Sequence, residues 1–168
     1  NNLKNQLNIY AMYQRPFWGS EINPNLINGW NVFKNDVIQF IKANNLNNSI
    51  GIGHSMGAVI ILLIEIESPG TFKKIFLLDP VITSKLKSRL YKYLLAIGLA
   101  DKIHPMIKRT NRKKMRYANK QKIYKSYRTK NIFSKLSDEN LNTYINSIIV
   151  HEDDCVRIKL SKKWENTI

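Results

Sequence analysis

Along the first eighty residues the apolar positions switch back and forth between two periods. Leu7-Asn8-Ile9-Tyr10-Ala11-Met12-Tyr13 mixes apolar and β-favouring residues and predicts a strand. It runs into Gln14-Arg15-Pro16-Phe17-Trp18-Gly19-Ser20, where proline and glycine mark a loop. Trp30, Phe33, Val37, Phe40 and Ile41 then recur at spacings of three and four, while Asn31, Lys34, Asn35, Gln39 and Lys42 fill the other face. That spacing predicts an amphipathic helix from about Trp30 to Asn44. Ser49-Ile50-Gly51-Ile52-Gly53 reads as a short buried strand. Gly57 to Glu65 is apolar nearly all round, as in a helix buried against a sheet, and Ser68-Pro69-Gly70 stops it. Lys74 to Leu78 is a further buried strand, ending at Asp79-Pro80. Strands alternating with helices in this way argue a parallel sheet covered on both faces by helices.

After Pro80 the pattern changes. Residues 84–147 show helical periodicity and no convincing strand. Leu86, Leu90, Tyr93, Leu94 and Ile97 form one stripe, broken by Gly98 and Pro105. Lys108 to Arg128 is basic and carries Met115, Tyr117, Tyr124 and Tyr127. Ser137-Asp138-Glu139 opens a last helix with Leu141, Tyr144, Ile145 and Ile148 inside. The expectation is a helical insertion of two to four helices, with a return to strand between Ile148 and Leu160. The expected organisation is a core portion over 1–82, a basic helical cap over 83–147 and a return toward the core over 148–168.

Composition sharpens this picture in three places. The 168 residues are 43% hydrophobic with three Trp, eight Tyr and six Phe, which excludes a disordered tail. The single cysteine, Cys155, excludes an intrachain disulfide framework and a cysteine-rich zinc site. The longest apolar run, Ala58 to Ile64, is far short of the roughly 20 residues that span a bilayer. The net charge of +15 is concentrated: Thr83 to Lys130 holds 16 basic residues and one acid, Asp101, while the other 120 residues hold 11 of each sign. High Lys, Asn and Ile counts fit an A·T-rich coding bias, but that bias does not remove acids from one stretch.

Chemistry enters at Gly53-His54-Ser55-Met56-Gly57, a Gly-x-Ser-x-Gly placed after a predicted strand and before a predicted helix. A strand turning sharply into a helix strains the central residue and lifts its hydroxyl above the sheet end. Small residues two positions away on each side let strand and helix pass closely. The backbone N–H of Met56 then sits at a helix N-terminus, where it stabilises a developing oxyanion. A phosphate-binding turn is a poorer reading, since no Gly-Lys-Ser/Thr follows.

With those residues in place the chain resembles the α/β-hydrolase superfamily. The matching stretches are Ile9 to Trp18, Trp30 to Ile41, Ile50 to Ala58 and Phe72 to Val81; the remainder resembles that fold's helical cap. The resemblance implies an α/β fold with a hydrolase-like parallel sheet and a cap insertion, incomplete here. It implies Ser55 as nucleophile of an acyl transfer, usually ester hydrolysis, and Met56 as oxyanion donor, with no metal and no organic cofactor. Serine rather than aspartate at the elbow argues against epoxide hydrolases and haloalkane dehalogenases. The early strand with its His-Gly loop, and the later strands carrying acid and histidine, are not in this sequence. The chain therefore reads as an internal fragment cut at both ends, inactive alone. No signal peptide is visible, and a cytoplasmic location is the default expectation.

A Ser-His-Asp system needs a base within reach of the hydroxyl and a carboxylate to orient it. His54 adjoins the nucleophile but is expected to point away and to pack or hydrogen-bond under the elbow. His104 precedes Pro105 in the basic cap. His151 keeps the order Ser, Asp, His with Asp79, which ends the strand after the elbow helix; the competing reading makes His151 to Asp154 an acidic turn and Asp79 a structural stop. Arg15 and Trp18 follow the first strand at the elbow's edge of the sheet and are candidates, with His54, for substrate contact. The basic segment fits an anionic ligand or a membrane surface, or a merely solvated face; no nucleic-acid fold signature accompanies it. A non-catalytic member binding an anionic partner through the cap, and an acyltransferase, are the alternatives to the hydrolase.

Overall fold

Helix α1 (Asn31–Ala43) forms on the predicted stripe, burying Phe33 and Ile41. It buries two charged residues as well, Lys34 and Asp36, and each has a partner. Lys34 Nζ reaches both carboxylate oxygens of Glu67, at 2.7 and 2.5 Å. Arg15 closes on Asp36 with two parallel bonds of 2.6 and 2.7 Å. Lys34 thus belongs to the packed side of the helix, not the solvated face the pattern assigned it. Desolvating a paired charge is tolerable where an unpaired one is not. In the computed structural model, residues 5–19, 22–27, 29–82 and 105–167 are described.

Strand β1 (Ser49–His54) and strand β2 (Phe72–Leu78) pair in parallel, from Ile50 opposite Lys74 to His54 opposite Leu78. Helix α2 (Met56–Glu67) crosses between them and buries Ala58, Ile60, Ile61 and Ile64. Gly51 permits this approach: a Cβ there would lie 3.0 Å from the Phe72 ring and 3.3 Å from Ile61. The Glu65 carboxylate accepts from the backbone N–H of Gly70 and of Phe72 and so fixes the turn into β2.

Two expectations for this unit are corrected. Leu7 to Tyr13 is not a strand: it has no ladder partner among the described residues, and Ile9, Tyr10 and Tyr13 are exposed. A strand is defined by its neighbour, whatever its composition. The β1–β2 strands are not buried on both faces either. Gly51 and Gly53 face α2, whereas Ile50, Ile52, Phe76 and Leu78 are exposed on the opposite face among the described residues.

Among the described residues, 105–166 form a second unit, separate from 5–82. It contains α3 (Pro105–Arg112), β3 (Arg116–Tyr117), α4 (Lys120–Arg128), α5 (Asn131–Ser134), α6 (Asp138–Ile148), β4 (Ile149–Glu152), β5 (Cys155–Ile158) and α7 (Lys162–Thr167). Both longer helices begin on side-chain caps, Asn119 accepting from the Lys122 N–H and Ser137 from the Asn140 N–H. The strands form an antiparallel sheet in the order β3-β5-β4. Tyr117, Ile123, Tyr127, Leu141, Ile145, Ile149, Val156 and Ile158 make one core between sheet and helices.

Residues 148–166 group with the second unit, and Thr167 with the first. Residues 149–158 make a hairpin that pairs with β3, so the segment is grouped with the helices before it rather than divided from them at residue 147. The apolar stripe between Leu86 and Ile97, and His104, lie outside the described residues.

Candidate active site

Ser55 stands between β1 and α2 with φ 54° and ψ −121°. A positive φ on a non-glycine residue costs on the order of 1–3 kcal/mol and persists only where the surroundings enforce it. The enforcement is visible on both sides. Upstream, the Ser55 N–H donates to the Leu78 carbonyl at 2.9 Å, extending the β1–β2 ladder to the turn. Downstream, the Ser55 carbonyl accepts from the N–H groups of Ala58 and Val59 at the start of α2. The residue must serve a strand and a helix within one peptide unit.

The two glycines of the motif are not equivalent. A Cβ on Gly53 would lie 2.4 Å from the Gly57 carbonyl oxygen and 2.6 Å from the Ala58 nitrogen. Those are backbone atoms, so Gly53 is a steric requirement of the turn. A Cβ on Gly57 would meet nothing within 4 Å. The close passage expected on both sides of the serine exists on the Gly53 side alone.

Asp79 follows β2 as Ser55 follows β1, and it too has a positive φ, 47°. Because His54 pairs with Leu78, the next residues of the two strands are lateral neighbours at the same sheet edge. Asp79 is exposed, and no described residue donates a hydrogen bond to its carboxylate. Met56 opens α2, where the first amides have no intrahelical acceptor and the positive end of the helix dipole lies. An anion formed at the Ser55 side would meet those N–H groups.

His54 is exposed on the outward face of β1 rather than packed under the elbow. Arg15 has both donors of its fork engaged by Asp36, and that contact holds its guanidinium above the ordinary pKa. Its plane lies 5.3 Å from the Trp18 ring, and the Trp18 indole N–H donates to the Tyr13 carbonyl. The arrangement makes Arg15 a brace between the 15–18 loop and α1. His151 is exposed on β4 of the second unit, opposite Val156. Sequence reading passed over Asp36 as the partner of Arg15. The signal was present, since Asp36 lies three residues after Phe33 and so on the buried stripe.

Residues 3–143 match the family described as serine aminopeptidase, S33. Among solved structures that match, two share the fold as follows. The peroxisomal α/β-hydrolase Lpx1 of Saccharomyces cerevisiae is 20% identical with a TM-score of 0.58, over 84% of this chain and 38% of its own. An esterase from a marine microorganism is 22% identical with a TM-score of 0.52, over 99% of this chain and 60% of its own. The chain thus spans less than two thirds of the length of either. No curated protein sequence matches it.

Proposed function

The chain belongs to the serine aminopeptidase S33 family of α/β-hydrolases, and on that premise we propose that it acts on an acyl carbonyl with Ser55 as nucleophile. The observation that carries this reading is the backbone of Ser55. Its strained φ is held between a strand and a helix by Gly53, which no larger residue can replace. Strain of this kind has a use when it lifts a hydroxyl out of the sheet toward a substrate.

In the proposed reaction the Ser55 hydroxyl oxygen attacks the carbonyl carbon while a histidine removes its proton. The carbonyl oxygen becomes an oxyanion and is met by the Met56 N–H. Collapse expels the alcohol or amine, which takes the proton from the same histidine, and water repeats the sequence on the acyl-enzyme. Asp79, beside Ser55 at the sheet edge, is proposed as the carboxylate. His151 is proposed as the base, on the chain order it shares with Ser55 and Asp79. The substrate class is an ester or a related acyl compound, and the family's description adds aminoacyl amides to the set to be assayed.

The test uses the intact protein on a panel of p-nitrophenyl esters and aminoacyl p-nitroanilides. Ser55→Ala should lower kcat by about 10⁴-fold or more, as for removal of a catalytic nucleophile. Turnover that survives the substitution overturns the reading. Asp79→Asn and His151→Ala should each lower kcat by at least about 10²-fold; an unchanged rate assigns that role to another residue.

A further inference from the structure

The apolar residues left on the surface of the second unit are not scattered. Among its described residues, the exposed large apolar side chains are Ile132, Leu136, Tyr144 and Val150. Three of these four belong to α5 or its borders. Ile132 lies on α5 and is 76% exposed. Leu136 follows four residues later, just past the helical Lys135, so the two share a side of the turn. Tyr144 on α6 meets the same turn through Phe133, at a ring separation of 5.1 Å.

This exposure is built into the fold. The Phe133 ring packs inward, 5.0 Å from the buried Tyr127 ring. Successive side chains on a helix diverge by about 100°, so seating Phe133 inside turns Ile132 out. The turn is also clamped. Arg128 Nη1 donates to the carbonyls of Phe133 at 3.0 Å and of Leu136 at 2.7 Å. The Phe133 N–H donates to the Lys130 carbonyl at 2.9 Å. A fixed backbone thus keeps two aliphatic side chains in water, where burial would be favourable.

Positive charge borders this tip. Residues 120–137 contain six basic side chains and no acidic one. Lys130 and Lys135 bracket α5, and neither makes an ion pair among the described residues. Asp138, the first acid beyond the turn, is engaged by Arg128.

We propose that the α5 turn is a docking surface for an anionic lipid bilayer. Ile132 and Leu136 enter the boundary between headgroups and acyl chains, and Lys130 and Lys135 meet the negative headgroups. Charge complementarity and the form of the apolar group together select this partner. A protruding aliphatic tip finds an apolar phase in a bilayer without a pre-shaped pocket, and flanking lysines lie along its surface with their ammoniums in water. Single-stranded nucleic acid would need exposed rings for its bases to stack on, and here Tyr127 is buried. The surface lies in the other unit from Ser55, so it stands or falls apart from the hydrolase reading.

The experiment is flotation of the intact protein with vesicles of phosphatidylcholine and phosphatidylserine at about 3:1, against pure phosphatidylcholine, at low and high salt. Binding should require phosphatidylserine and weaken with salt. Ile132→Ser should weaken it by about tenfold, as expected for losing one inserted aliphatic side chain, with thermal melting unchanged. Ile132→Trp should restore or strengthen it. Lys130→Gln/Lys135→Gln should weaken it by about fivefold or more per lysine. Lys108→Gln/Arg112→Gln on α3, with the same change in charge, should leave it within about twofold. If the Lys130 variant does not melt cooperatively, Lys135→Gln alone serves, since Lys135 is exposed. The proposal is overturned if the mixed vesicles do not bind, or if Ile132→Ser binds them as the parent does. It is overturned equally if both charge variants weaken binding alike, or if binding is lost in Ile52→Thr/Phe76→Thr instead. A single-stranded oligonucleotide that binds tighter than the vesicles, or self-association that Ile132→Ser abolishes without changing flotation, assigns the surface to another partner and overturns it too.

Discussion

Ser55 concentrates the conflict between folding and chemistry in one residue. Its hydroxyl is useful where the backbone is costly, and the two effects separate by substitution. Ser55→Gly removes the Cβ that makes φ 54° unfavourable. The expected outcome in denaturant unfolding is a stability about 1 kcal/mol above that of Ser55→Ala, with both variants equally inactive. Equal stability of the two would mean that the turn is not strained in solution. The motif Gly53 to Gly57 was legible from sequence because its spacing is local. The unequal roles of its glycines were not, because a clash depends on where α2 begins relative to β1. The same holds for Arg15, whose partner Asp36 is 21 residues away.

At the level of elements, the last long helix of the second unit was legible from its opening residues and its apolar stripe. α6 begins where Ser137-Asp138-Glu139 placed it, with both acids in its first turn. The network joining α4 to α6 depends on packing and was not readable: Arg128 donates to the Tyr124 hydroxyl and to Asp138, and to the Phe133 and Leu136 carbonyls between the helices. Within the core they enclose, burial pushes the Tyr127 phenol up to about 12, with the charges around it adding to that shift. A phenol raised in the folded state above its unfolded value of about 10 stabilises the fold below pH 10. That contribution disappears as pH rises from about 10 to 12, because the unfolded chain releases the proton first. Tyr127→Phe should flatten this alkaline loss in urea titrations followed from pH 8 to 12, while changing stability at pH 7 by roughly 1 kcal/mol or less. An identical alkaline profile in the variant would assign the loss to other groups. The strands followed a different rule. Leu7 to Tyr13 has strand composition and forms none, whereas Arg116–Tyr117, unremarked in sequence, pairs with β5.

Over the whole molecule, the two units present opposite surface problems. The second carries excess positive charge. The first leaves one face of its parallel sheet apolar, with Ile52 60% and Phe76 46% exposed among the described residues. Parallel sheets are ordinarily covered on both faces, and open strand edges template association. The 168-residue chain should therefore bind a hydrophobic dye and self-associate at micromolar concentration. Ile52→Thr/Phe76→Thr should reduce both signals, as seen by dye fluorescence and light scattering; a monodisperse, dye-silent parent chain would contradict this. The sequence by itself determined the α/β class, the bounds of the first two helices within a residue or two, and the elbow, because each is written in short spacings, and it determined the charge division because composition needs no contacts. Only the tertiary structure decided which strands found partners, which face of the sheet was covered, that the final hairpin joined the second unit, and that Lys113 met Glu165. Those outcomes depend on contacts between distant residues, and no local period encodes them.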